Sequence, residues 1–280
     1  MGDYYADRGM GRPSWKRSGW RRRIGQWLRF ELAVDPWDFD EIESLLDLGS
    51  GVGDLCGYLR ATGRAVDYTG VDSRAEAVEQ AREAYPDGEF LERDLFGKWG
   101  AGDLGREGGF DLVVAIGAQV DGRPAETPGV RYRRAERLWG RLGGVSGGGR
   151  SMVILDQRTV GRRPMLDLEP ALWGVTVEQL RGLADEGVVR AEPLETDLVC
   201  YGHRDGLAFD RRVADGGSEA WRAHRRVAKR HRAEGGDPID VCWMWVEAGR
   251  PERARAVLDE DDPPDSSERR LLEERIAGLQ

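Results

Sequence analysis

Apolar and polar positions change period several times along the chain. At 24–34, apolar residues at 24, 27, 28, 32 and 34 recur at helical spacing, and Asp35-Pro36 stops the run. A second short helical piece is predicted over 37–42. From Ser44 onward, short apolar runs alternate with amphipathic stretches. Strands are predicted at 44–48, 67–71, 89–92, 110–116 and 151–156, with helices at 54–61, 74–84 and 132–142. The run FDLVVAI at 110–116 is apolar almost throughout, as expected of a strand covered on both faces. The Gly-rich stretch 97–109 predicts only a weak helical crossover. Strands alternating with helices at this spacing make βαβ units, hence an α/β, doubly wound, mostly parallel sheet.

The pattern then changes twice. Thr176 is a candidate N-cap for a helix over 176–185. Two short strands at 188–194 and 197–203, with a turn at Glu195-Thr196, predict an antiparallel hairpin at the edge of the sheet. From about 215 the chain becomes charged and helical. Helices are predicted at 218–234, from Asp237-Pro238 to Gly249, at 251–259 and at 266–279, with an acidic, Pro-containing linker at 259–265. AGRPERARAVL resembles half of a helix–turn–helix repeat but occurs once. The reading divides the chain into an N-terminal arm and helical lid (1–43), a sheet domain (44–214) and a C-terminal helical extension (215–280).

Composition narrows the setting. The 280 residues are 40% hydrophobic, enough for a sizeable core, and no apolar run approaches the ~20 residues of a membrane span. The N-terminus shows no apolar secretory region, and its Met-Gly start has Ala at position 6, against myristoylation. Cys56, Cys200 and Cys242 have neither disulfide-framework nor zinc spacing, and His203, His224 and His231 form no metal-binding pair. A cytoplasmic location with reduced thiols and no metal is expected. The net charge of −9 gives no general attraction to nucleic acid. Lysine occurs only at 16, 98 and 229, and the spread of the arginines fits base composition better than a phosphate site. Arg17 and Arg21–Arg23, interleaved with Trp15 and Trp20, could stack on bases, but such an arm more often folds back on its own domain.

The chemistry centres on SLLDLGSGVGD at 44–54. A strand that breaks into Gly49, Gly51 and Gly53 and feeds a helix lets the backbone approach a ligand closely. Asp72 ends the next strand 21 residues after Gly51, where a carboxylate suits the hydroxyls of a ribose. The dinucleotide fingerprint needs its third glycine one residue later, and Asp54 stands there. Asp47, just before the loop, would repel a pyrophosphate and welcome an ammonium or sulfonium group. These residues favour S-adenosylmethionine over NAD.

With LLDLGSGVGDLCGYL, YTGVDSRAEAVEQAREAYPDGEFLERDLF and FDLVVAIGAQ in that order, residues 44–156, extending to about 204, resemble the class I S-adenosylmethionine-dependent methyltransferases. The resemblance implies a Rossmann-like methyltransferase fold. It places Asp47, Gly49, Ser50 and Gly51 along the methionine part of S-adenosyl-L-methionine, Asp72 and Ser73 at the ribose, and Asp94 and Leu95 at the adenine. Asp94 would accept from the exocyclic amine. Ala115, Ile116 and Gly117 would face the methyl group. Tyr4, Tyr5 and Arg29 become lid candidates. Bland readings stand beside these: Asp47 as a helix cap, Asp94 as a solvated turn acid, Gly53 and Gly57 as packing glycines.

Methyl transfer from a sulfonium asks mainly for positioning, so no catalytic motif need appear and no catalytic residue is assigned. Ala-Ile-Gly-Ala-Gln stands where amino-methylating relatives carry Asn/Asp-Pro-Pro-aromatic, and no Pro-Cys pair is present. Both absences disfavour those base- and glutamine-directed chemistries. Candidate substrate contacts are Gln119, Asp121, Asp156 and His203, the last also readable as a plain hairpin residue. The expected function is methylation of a small molecule or of a peptide or protein side chain. The alternatives are a non-catalytic cofactor-binding protein whose helical tail serves assembly, including homo-oligomerisation, and a dinucleotide oxidoreductase.

Overall fold

The computed structural model describes residues 22–118, 128–155, 188–191, 197–203 and 221–279. Among them, helix α1 (Arg23–Val34) precedes β1 (Ser44–Leu48), α2 (Asp54–Ala61), β2 (Asp67–Asp72), α3 (Ala75–Ala84) and β3 (Glu89–Glu92). A single 3-10 turn at Gly102–Leu104 fills the Gly-rich crossover. Then come β4 (Phe110–Ile116), α4 (Pro128–Val145), β5 (Ser146–Leu155), β6 (Val188–Ala191) and β7 (Asp197–His203). Four helices follow, α5 (Arg222–Ala233), α6 (Pro238–Glu247), α7 (Pro251–Asp261) and α8 (Ser267–Ala277).

The seven strands run in the order β3-β2-β1-β4-β5-β7-β6. β1 to β5 are parallel, and β7 pairs antiparallel with both β5 and β6. The order reverses between β1 and β4, and in open α/β sheets the crevice beyond the carboxyl ends at such a reversal receives the ligand. The glycine loop leaves β1 at that end.

Two apolar layers sandwich the sheet. Leu46, Leu48, Val113 and Ala115 meet Ala135, Leu138, Trp139 and Leu142 of α4. On the other face Leu45, Leu112 and Val114 meet α1, α2 and α3 through Leu28, Leu59 and Val78. Thus β1 and β4, covered on both sides, read as near-continuous hydrophobic runs.

The expected strand at 151–156 begins five residues earlier, with Gly149 inside it. A β-carbon at 149 would stand 2.4 Å from the Trp37 ring, so the glycine makes room for an indole laid across β5. Trp37 is anchored there by its Nε1–H, which donates to Ser151 Oγ at 2.8 Å. This anchoring also explains why 37–42 forms turns rather than the expected helix. The Asp38 carboxylate accepts from Asp40 N–H at 3.0 Å, a local bond that competes with helix.

Helix α1 is a layer of the core. Ile24, Trp27, Leu28, Phe30, Leu32 and Val34 are all buried in it, and Leu32 O accepts from the Tyr201 hydroxyl on β7 at 2.5 Å. Residues 1–21 of the expected arm and lid lie outside the described residues. The C-terminal helices α5–α8 follow the sheet as expected, and one apolar cluster runs from Leu45 and Leu112 through α1 to Val227, Ile239, Leu258 and Ile276. The 214/215 boundary and the 176–185 helix lie outside the described residues.

Polar groups reinforce the same seam. Arg64 grips both oxygens of buried Glu31, at 2.7 and 2.8 Å. Tyr58 donates to Glu31 at 2.8 Å, and Arg226 of α5 reaches Glu31 at 3.1 Å. Arg222 Nε donates to Asp35 at 2.9 Å, and Arg226 bonds Asp35 as well. Burial alone would raise the pKa of Glu31, but the Arg64 bonds outweigh it and hold the carboxyl below its ordinary value.

Candidate functional site

The site is built where β1 ends. Gly49 and Ser50 both donate their N–H to Val71 O, at 2.7 and 3.1 Å, so the loop folds back over the end of β2. Gly49 and Gly51 hold φ of +87° and +55°, the left-handed region that glycine enters without strain. A β-carbon on Gly49 would lie 2.7 Å from that of Ala118, so the strand-end segment after β4 closes directly on the loop. Leu95 Cδ1 lies 3.8 Å from the same point. The ends of β1 and β4 and the segment after β3 therefore converge.

Asp72 ties the loop to β2. Its Oδ2 accepts from Gly51 N–H at 2.9 Å, and its Oδ1 accepts from Arg74 N–H at 3.0 Å and Arg74 Nε at 3.3 Å. An ionised carboxylate has about four acceptor sites, so three protein bonds leave room for a hydroxyl. Ser73 beside it is exposed.

Asp47 is only 4% exposed and accepts from the Tyr68 hydroxyl at 2.6 Å. Burial pushes its pKa up to about 7; the Tyr68 bond opposes the shift and the charge of Asp72 adds to it. Near neutrality its negative charge is therefore only partly developed until a cation approaches. Asp47 does not cap α2. That helix has Gly53 at its N-cap, with no side-chain cap, and Asp54 in its first turn. Asp54 in turn accepts from Gln26 of α1 at 2.7 Å.

Asp94 is exposed, and its Oδ1 accepts from Phe96 N–H at 2.9 Å. Ser50 is buried, and its Oγ has no hydrogen-bond partner among the described residues. A backbone cradle too tight for a β-carbon, an unsatisfied buried hydroxyl and spare acceptor capacity at Asp72 and Asp94 together fit an adenosine-bearing cofactor.

Not every expected residue falls here. Ala115 is 1% exposed, closed among Leu48, Val71 and the residues of α4; Ala118 is the residue seen to pack on the loop. Small size is its whole contribution, so no chemical signal marked it. Arg29 is half-buried on α1 and donates to Gly25 O at 2.9 Å. His203 requires a correction. Register pairs Gly149 with His203 and Leu155 with Asp197. An antiparallel strand enters at the carboxyl end of the parallel sheet and leaves at the amino end. His203 thus sits toward the side opposite the glycine loop, and Asp197 occupies the near side. Tyr4, Tyr5, Gln119, Asp121 and Asp156 lie outside the described residues. Among the described residues, no three His, Cys, Asp or Glu side chains cluster as metal ligands.

Residues 45–131 match the family model of the methyltransferase domain. Over that span the chain is similar to methyltransferase domains. The match begins in β1 and ends within α4, so it contains the glycine loop, Asp72 and Asp94. No curated protein matches the sequence. Several solved structures are similar to this chain. One is the plantazolicin methyltransferase BpumL in complex with a pentazolic desmethylPZN analog and SAH, at 15% identity and a TM-score of 0.47, covering 66% of this chain and 86% of that one. Another is magnesium protoporphyrin IX methyltransferase (ChlM) from Synechocystis PCC 6803 with bound SAM, at 13% identity and 0.44, covering 70% and 87%. A third is the mitomycin 7-O-methyltransferase MmcR, at 16% identity and 0.48, covering 68% and 56%. At such identities and scores these likenesses carry nothing about what this chain acts on.

Proposed function

We propose that this chain methylates a small molecule or a peptide or protein side chain, using S-adenosylmethionine held at the 49–53 loop. The observation that carries the reading is Asp72 at the end of β2, bound to the Gly51 N–H with acceptor capacity to spare, beside the loop that leaves β1 at the strand-order reversal. When bound, the cofactor supplies an activated methyl on a sulfonium. The residues need only bind it, orient it and exclude water.

In this reading the backbone of Gly49–Gly51 carries the methionine moiety, with Asp47 supplying negative charge near its ammonium group. Asp72 accepts from the ribose and Asp94 from the adenine amine. Ala118 and Leu95 close the walls on either side of Gly49. Three buried cysteines with no disulfide among them fit a reducing, cytoplasmic setting. No described helix is long and apolar enough to cross a membrane.

Calorimetric titration with S-adenosylhomocysteine tests the site, and single-turnover transfer of labelled methyl to fractionated cell extract tests the activity. Binding followed by label on a defined acceptor is expected. Tighter binding of NADH than of S-adenosylhomocysteine would overturn the cofactor reading. Binding with no transfer to any fraction would leave a cofactor-binding protein.

A further inference from the structure

We propose that Trp99 and Arg141 are positioning residues for Asp94, clamping the 94–99 segment onto α4 so that the Asp94 carboxylate is aimed at the adenine and selects it over other purine bases. This rests on the reading of Asp94 as the partner of the adenine amine.

Asp94 is exposed, and exposure alone would leave its carboxylate loosely held. Three hydrogen bonds restrain it, and one of their donors is itself clamped. The Trp99 indole N–H donates to Asp94 O at 2.8 Å. Gly97 N–H donates to the same carbonyl at 2.9 Å. The carboxylate Oδ1 accepts from Phe96 N–H at 2.9 Å. The Trp99 ring is itself held from the far side, because the Arg141 guanidinium carbon lies 3.6 Å from its centroid. One turn earlier on α4, Arg137 stands 4.6 Å over Phe96. Two cation–π stacks, four residues apart on one helix, thus grip two aromatics three residues apart in one loop.

The helix is a firm base. Ala135, Leu138, Trp139 and Leu142 bury its other side against the sheet. Arg141 Nε and Nη2 are buried with no hydrogen-bond partner among the described residues. Two guanidinium nitrogens buried without bonds are costly, and the Trp99 face is what stands against the group. The charges of Asp103 and Asp94 partly offset that burial, so Asp94 lies within electrostatic reach of Arg141. Space is tight beneath the turn: a β-carbon on Gly97 would lie 3.1 Å from Asp94 O and 3.3 Å from the Trp99 ring. Leu95, next in sequence to Asp94, already packs near Gly49. Moving Trp99 would therefore move the acid that faces the base.

The consequence is selectivity rather than bulk affinity. Adenine presents an amine donor to Asp94, whereas hypoxanthine presents a carbonyl oxygen, and two acceptors repel. The test compares affinities for S-adenosylhomocysteine and its deaminated analogue S-inosylhomocysteine in the full-length chain. The variants are Trp99→Phe, which keeps the ring and removes the N–H, Arg141→Met, Arg141→Lys and Asp94→Ala. Asp94→Ala is expected to collapse the preference for adenine. Trp99→Phe and Arg141→Met are expected to lower it by roughly 3–10-fold, the scale of one hydrogen bond, with Arg141→Lys restoring part. If Asp94→Ala collapses the preference while Trp99→Phe and Arg141→Met keep it and change only melting temperature, the clamp is structural and the proposal fails. If Asp94→Ala leaves the preference intact, the adenine reading of Asp94 fails first, and the clamp with it.

Discussion

Asp47 shows how burial changes what a charge can do. Its folded pKa of about 7 lies above the unfolded 3.8, so the stability it contributes is complete below about 3.8 and is lost as pH rises through about 7. The uncomplexed chain is expected to lose stability across that window by at most ~1.4 kcal/mol per pH unit, one proton's slope. Asp47→Asn is expected to flatten this dependence, as read by denaturant unfolding at pH 5, 6 and 7. Cofactor binding has the opposite sense. A bound cation favours the ionised acid, so affinity for S-adenosylmethionine should rise as pH approaches 7 and should lose that rise in Asp47→Asn. For Asp72→Ala, calorimetry should give S-adenosylhomocysteine binding weaker by roughly 1–3 kcal/mol, since a charge-assisted acceptor is lost and Gly51 N–H is released with it. Unchanged affinity would remove Asp72 from the site. Both acids were conspicuous in the sequence because a carboxylate at a strand end beside a glycine loop is chemically distinctive. Their supports were not. Tyr68 reaches Asp47 from the neighbouring strand, a cross-strand relation that depends on register and leaves no local pattern.

At the scale of elements, α1 departs most from its reading. Its apolar spacing predicted a helix and found one within a residue at its start, yet Gln26 and Glu31, polar positions that suggest a wet face, meet α2 and α5 instead. An amphipathic pattern marks apolar positions and says nothing about a second interface lined by ion pairs. Glu31→Ala leaves Arg64 half-buried without its bidentate partner and removes the bonds from Tyr58 and Arg226. It is expected to cost about 3–5 kcal/mol by thermal or denaturant melting. Because the folded pKa of Glu31 is lowered, its stabilisation is present above the unfolded value of 4.5 and is lost as pH falls. The edge hairpin was legible as a pair of strands. Its direction against the site was not drawn out, and direction is what carried His203 away from the loop.

For the whole molecule, the alternation of strands and helices made the sheet readable, because each strand advertises its own burial. The attachment of α5–α8 could not be read, since it rests on contacts between residues far apart in sequence. Ending the chain at residue 220 would uncover the sides of α1 that carry Trp27 and the carboxylates of Glu31 and Asp35. Each large apolar side chain so exposed forfeits ~1.5–3 kcal/mol, and two buried acids lose cations. The truncated chain is expected to show no cooperative unfolding transition by circular dichroism; a sharp transition with retained S-adenosylhomocysteine binding would make the tail an independent unit. The Asp35–Arg222 pair also has a consequence in time. The two residues are 187 apart, so at roughly 5–20 residues per second a ribosome delivers the arginine about 10–40 s after the acid. By the end of that interval the nascent chain has its glycine loop and all the strands of its sheet, but the acids at its first helix still lack the arginines of α5, and it is then that a chaperone would find something to hold.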